Sequence, residues 1–146
     1  MNSSNHLTIC KTAKAIPVFS IFFLLMTGYK AEAQSKPWPV PATGSDLKNP
    51  VPSDPATLKE AKALYSSYCA PCHGDKGKGD GVAAVALNPK PADHTSAKVQ
   101  QETDGTLFYK MSEGRDPMPQ YKRTLTETQR WELVNYIRVL GKNTKK

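Results

Sequence analysis

The stretch Tyr68-Cys69-Ala70-Pro71-Cys72-His73-Gly74 constrains this chain more than any other. Two thiols one helical turn apart are followed at once by an imidazole. Cys-x-x-Cys-His is the spacing of c-type haem attachment. Each thiol adds to one of the two vinyl groups on a haem edge, and the next residue sets its imidazole against the iron. So short a motif needs support from its surroundings.

The first 33 of the 146 residues read as a leader and not as part of a domain. A polar segment with Lys11 and Lys14 precedes a 14-residue, largely apolar run, Ala15 to Gly28, and then Ala31-Glu32-Ala33. That is the order of a secretory signal peptide, with cleavage expected after Ala33. As helix the run spans about 21 Å, short of the roughly 30 Å hydrocarbon core, and an uncleaved N-terminal anchor is the rival reading. Cys10 precedes the apolar run, which argues against a lipoprotein. Export therefore leaves Cys69 and Cys72 as the only cysteines. It also leaves 17 basic and 12 acidic residues, a net charge of +5. Such a mild basic excess suits an acidic protein face and is too small and scattered for nucleic acid.

Residues 34 to 53 carry Pro37, Pro39, Pro41, Pro50 and Pro52 without any apolar period and read as an extended, polyproline-like arm. Trp38 argues against a free tether and is expected to pack on the domain. The domain is expected over 54–141, with a basic tail at 142–146. Asp54-Pro55 starts a helix whose stripe is Leu58, Ala61, Leu64, Tyr65 and Tyr68, running straight into Cys69. After His73 a loop with four glycines in eight residues, Gly74 to Gly81, admits positive φ and close backbone approach, with Lys76 and Lys78 solvated. Val82 to Leu87 reads as a turn of helix, ended by Pro89 and Pro91. Asp93 caps a short helix over 94–100. Asp104-Gly105 opens another with Leu107, Phe108 and Met111 buried, stopped by Gly114. Thr126 to Gln129 is a capping box for a last helix to Leu140, with Trp131, Val134 and Ile137 on its stripe and Gly141 as its stop. No strand pattern or internal repeat is present.

Other uses of the cysteines fit less well. A structural zinc site needs four ligands, and Cys69, Cys72, His73 and distant His94 do not readily share one tetrahedron. Chaperone zinc modules pair several such runs, and this chain has one. A thiol–disulfide oxidoreductase needs a βαβ context that is absent, and a disulfide across two residues is strained. A flat apolar cofactor would also enlarge the core of a domain this small.

The pattern resembles class I c-type cytochromes over roughly Asp54 to Gly141, most of all the bacterial single-haem forms related to c-type subunits of haem–copper oxidases and to dehydrogenase-linked cytochromes. The residues that carry the resemblance are Ala61, Leu64, Tyr65, Cys69, Cys72-His73-Gly74, Gly77, Gly79-Asp80-Gly81, Pro91, Met118-Pro119, Trp131 and Tyr136-Ile137-Arg138. The resemblance implies an all-α cytochrome c fold in which first and last helices cross, at Ala61 and Tyr65 with Leu133 and Tyr136, and loops wrap one covalent haem c. It implies His73 as proximal ligand, a methionine as the sixth, and a carbonyl near Pro91 accepting from the His73 ring. Met118, Met111 and His94 are the local candidates for the sixth position. Met118 begins the Met-Pro pair of the family's distal loop, whereas Met111 lies in an apolar helix stripe and reads as core. His94 stands where related sequences carry an apolar residue. The favoured reading is a surface histidine; the sharper one is a haem-proximal group that titrates near neutral pH.

Histidine–methionine ligation saturates the iron and implies electron transfer without substrate chemistry. The expectation is a periplasmic electron carrier, not an enzyme, working between a redox donor and acceptor with an acidic docking face. Membrane contact arises only through an uncleaved leader or a complex. The alternatives are a fixed electron-entry subunit of a dehydrogenase or respiratory complex, and an open-site haem sensor or enzyme.

Overall fold

The computed structural model describes residues 37–143, which fall within one unit, Ser35–Lys146. The leader and the last tail residues lie outside the described residues. Six helices follow in order: α1 (Ala42–Ser45), α2 (Pro55–Tyr68), α3 (Ala70–His73), α4 (Ala97–Gln100), α5 (Asp104–Glu113) and α6 (Glu127–Lys142). Two short 3-10 turns stand at Ala84–Ala86 and Tyr121–Arg123. The only β feature among the described residues is an isolated bridge between Arg115 and Met118. The fold is all-α.

Local chemistry sets the helix starts. The Asp54 side chain accepts from the backbone N–H groups of Ala56 and Thr57, both at 2.9 Å, and Pro55 occupies the first helical position. Thr126 and Gln129 form the reciprocal capping box of α6, at 2.9 and 3.2 Å. In α5 the cap is Thr103, whose hydroxyl accepts from Thr106 N–H at 3.1 Å. Gly114, at φ +62°, ends that helix where its next carbon would strike Pro119 backbone.

Helices α2 and α6 cross, with Ala61 and Leu133 fully buried and Tyr65 against Tyr136 at 5.1 Å between ring centroids. Alanine at the crossing lets the two backbones approach. On the other side of α6, Trp131 stacks on Phe108 of α5 at 3.9 Å. Met111 is 3 % exposed and belongs to this core. Arg138 binds α6 to the connection between α4 and α5, donating to Asp104 Oδ1 at 2.8 Å and to the carbonyls of Gln100 and Glu102.

Three local expectations change. Asp93 does not start the helix after it: its carboxylate accepts from Thr95 N–H at 2.7 Å in a turn, and Ser96 caps α4 three residues later. Gly141 does not stop α6, which continues to Lys142. That glycine is needed for space, since an added Cβ would lie 2.2 Å from the Gln100 side chain. The Val82 to Leu87 segment does form a single 3-10 turn, Ala84–Ala86, with Val85 inside it 80 % exposed and Val82 just before it 86 % exposed. The proline-rich arm is not uniformly extended, because α1 forms inside it. Gly44 of α1 packs against Tyr109, and Asn49 donates to Asn135 Oδ1 at 2.9 Å and to the Trp131 carbonyl at 3.2 Å. Trp38 does pack on the domain, beneath the Arg115 guanidinium at 4.5 Å from the ring centroid, while Arg115 also donates to the Pro37 carbonyl.

Candidate haem site

Helix α2 breaks at Cys69, and α3 is the single turn that carries the rest of the motif. Cys69 N–H still donates to the Tyr65 carbonyl at 2.9 Å, so the first thiol stands at the end of α2. Cys72 and His73 N–H groups both donate to the Cys69 carbonyl, at 3.1 and 2.8 Å. Pro71 is tolerated because the first turn of a helix needs no internal donor there. Both thiols are free, Cys69 buried and Cys72 half-buried. Burial, helped by neighbouring Cys72, pushes the Cys69 thiol up to about 12. A reactive exchange thiol is tuned in the opposite direction.

The glycine loop folds back on this turn. Gly79 N–H donates to the His73 carbonyl at 2.8 Å and Gly81 N–H to the Cys72 carbonyl at 3.1 Å. Gly74, Gly77 and Gly79 have φ between +73° and +77°. At Gly79 a side chain would also lie 2.4 Å from the Pro91 carbonyl oxygen. The loop thereby draws the 91–94 segment across the imidazole of His73. Lys78 reaches back to Thr95 and to the Asp93 carboxylate at 3.9 Å, so it is not simply solvated.

His73 Nδ1 lies 2.9 Å from the Ala92 carbonyl oxygen. A carbonyl only accepts, so Nδ1 carries the proton and the Nε2 lone pair is left for a metal. Burial lowers the pKa of this imidazole, and the bond to Ala92 partly opposes that, which favours the neutral form a ligand requires. The carbonyl in question belongs to Ala92, one residue beyond Pro91. Pro91's own oxygen is turned to Gly79.

Met118 sits in the loop between α5 and α6, half-buried against the core cluster that contains Cys69. The Arg115–Met118 bridge pins that loop with bonds of 3.0 and 2.8 Å. Tyr121, three residues on, donates its hydroxyl to the Tyr68 carbonyl at 2.7 Å and so ties the loop to the residue preceding Cys69. Cys69 and the Met118 thioether share one core, and Cys72 and His73 follow on the turn that starts at Cys69, a donor set that fits haem c.

His94 is the largest departure from expectation. It is 8 % exposed, so the surface reading is overturned. Its ring stacks on His73 at 4.0 Å with 19° between planes, and its Nδ1 is 2.9 Å from the Tyr65 hydroxyl in a hydrogen bond. Burial, followed by neighbouring His73, holds it well below the ordinary histidine value, which favours the neutral ring. Sequence reasoning missed Ala92, Gln100 and the Tyr65–His94 pairing. That pairing spans 29 residues and carries no local signal.

The family described as "Cytochrome C oxidase, cbb3-type, subunit III" matches residues 56–137. No curated protein matches the chain. Among solved structures it is similar to a chain of the Kuenenia stuttgartiensis reducing HAO-like protein complex Kustc0457/Kustc0458, with 26 % identity and a TM-score of 0.56. That likeness covers 73 % of this chain and 52 % of the other, so this chain spans about half of its solved neighbour's length. The matched region contains the attachment motif, nearly all of α2, α6 as far as Ile137, and the methionine loop. The chain therefore belongs to the family of cytochrome c domains typified by cbb3-type oxidase subunit III, domains that transfer electrons by way of haem.

Proposed function

We propose that the chain is an exported single-haem electron carrier, with haem c bound covalently through Cys69 and Cys72 and its iron held by His73 and Met118. The observation that carries this reading is the His73 imidazole, which directly follows the two thiols and whose Nδ1 is committed to Ala92. Bound in this way, the haem supplies one-electron oxidation and reduction. Cys69 and Cys72 anchor it, and His73 presents Nε2 because Ala92 occupies the other nitrogen. The loop from Arg115 to Tyr121 holds the Met118 thioether, and a sixth ligand from the protein closes the site to small molecules. The leader over residues 1–33 supports a periplasmic location, where covalent haem and exposed redox partners are both expected.

Partners meet the protein beside the thiols. Gly81 and Ala83 bond the carbonyls of Cys72 and Pro71, which places the exposed Val82 and Val85 on the loop next to the attachment turn. Exposed Lys76, Lys78 and Lys90 on the neighbouring loop segments suit an acidic partner face. A second reading, a subunit held in a larger redox assembly, draws support from the solved neighbour, which is part of a protein complex. Stable co-purification with a membrane enzyme separates the two.

The test is spectroscopic. Purified protein is expected to keep its haem on denaturing gels and to show the weak methionine–iron charge-transfer band when oxidised. Met118→Ala is expected to abolish that band and to let carbon monoxide bind the reduced protein. Persistence of the band in that variant rejects the ligand assignment, and absence of covalent haem rejects the whole reading.

A further inference from the structure

We propose that His94 and Tyr65 act as a positioning pair that sets the plane of the His73 ring, an inference that rests on His73 being the iron ligand. A single hydrogen bond from Nδ1 to the Ala92 carbonyl aims one edge of the imidazole. It leaves the ring free to rock about that bond. A second contact is needed to fix the plane, and the stacked ring of His94, 4.0 Å away and within 19° of parallel, provides it. Ala92 and His94 are two residues apart, so one short strap holds the imidazole by its edge and by its face.

A stack positions its neighbour only if it is itself held, and His94 is held on several sides. Its backbone N–H donates to the Gly77 carbonyl at 2.7 Å. Its own carbonyl accepts from Gln100 Nε2 at 2.6 Å, and the same nitrogen donates to the Ile137 carbonyl on α6 at 3.0 Å. Its Nδ1 is engaged by the Tyr65 hydroxyl, and the Tyr65 ring packs edge-on at 5.8 Å. Tyr65 is 1 % exposed and wedged at the crossing of α2 and α6 against Tyr136. Gly77 admits this approach because an added Cβ would meet the His94 Cβ at 3.2 Å and the Tyr65 hydroxyl at 3.3 Å. The helix crossing is thereby coupled to the orientation of the ligand. The two side chains are matched as well: a buried tyrosine hydroxyl needs a polar partner, and an apolar ring at position 94 would leave it without one.

Ligand-plane orientation is read directly by the low-spin signal of the oxidised holoprotein in electron paramagnetic resonance, and the midpoint potential follows it. Covalent haem is quantified in every variant, so failure of haem attachment is seen separately from failure of the pair. Wild type is expected to give one narrow signal. His94→Ala and His94→Leu, which remove the flat ring, are expected to broaden and displace its largest g-value and to shift the potential. Leucine fills the space, so it decides the matter if the alanine variant does not accumulate. Tyr65→Phe, which keeps the stack and releases its edge, is expected to broaden the signal less. Combining His94→Phe with Tyr65→Phe restores a flat ring with no orphaned hydroxyl and is expected to recover the narrow line. A wild-type g-value and linewidth in His94→Leu would overturn the proposal. An unchanged signal in Tyr65→Phe would remove Tyr65 from it.

Discussion

Gly79 shows how much a single backbone position contributes to this site. Its φ of +74° is one that a side chain adopts only under strain. The Pro91 carbonyl oxygen, 2.4 Å from where a Cβ would stand, cannot move without shifting the strap that carries Ala92 and His94. Gly79→Ala is therefore expected to lower unfolding free energy by about 2 kcal/mol, within the 1–3 kcal/mol typical of a strained backbone position. Chemical denaturation monitored by circular dichroism measures it, and a loss near zero would mean that the strap yields freely. The two titratable rings at the site illustrate the same economy of contacts. His73 is fixed in one protonation pattern by a carbonyl, and the neutral ring of His94 is favoured chiefly by burial.

At the level of elements, the α2–α6 crossing governs stability and its pH dependence. Glu132 on α6 is 6 % exposed, and burial raises its carboxyl pKa above the ordinary 4.5, with Glu60 on α2 adding to the shift. A carboxyl with a raised folded-state pKa makes the folded state bind more protons than the unfolded chain. Its favourable contribution is complete below 4.5 and is lost as pH rises through the folded value. Glu132→Gln is accordingly expected to unfold at higher temperature than wild type at neutral pH, with the difference shrinking as pH falls through that window. Paired melting curves across pH check the sign. A constant gap at all pH values would assign the effect to packing. The Tyr65–Tyr136 ring contact lies at the same crossing.

In the molecule as a whole, the segment before α2 is a brace and not a tether. Asn135, buried on α6, accepts from Asn49 and donates to the carbonyls of Val51 and Pro52, at 3.1 and 3.4 Å. Thr103 donates to the Ser45 carbonyl at 2.6 Å while capping α5, and Gly105 lies under α1 because a Cβ there would strike the Gly44 carbonyl. These contacts join the segment to both α5 and α6. Asn135→Ala strands several buried polar groups and is expected to cost about 1–3 kcal/mol. It should raise proteolysis and amide exchange over residues 37–53 while α6 stays protected. Unchanged protection of that segment would show that α1 alone holds it. The proline-rich brace thus adds to the core of a small domain whose own aliphatic content is low.

Short-range chemistry is legible in the order of residues alone. Asp54-Pro55 and the Thr126–Gln129 box specify helix starts, because caps act within four residues. Cys69, Cys72 and His73 specify an attachment turn, because the thiols need only one turn of helix between them. The buried stripes of α5 and α6 and the core role of Met111 follow from helical period. Long-range contact decided the rest. His94 is buried because Tyr65, His73 and Gln100 surround it. The carbonyl on His73 is Ala92's because Gly79 claims the space beside Pro91, and Gly141 stays inside a helix because Gln100 packs there. The arm is folded through bonds that span 86 residues, as from Asn49 to Asn135. No local pattern encodes such partners: a hydrogen bond specifies donor and acceptor types, and only the packed chain brings a particular pair together.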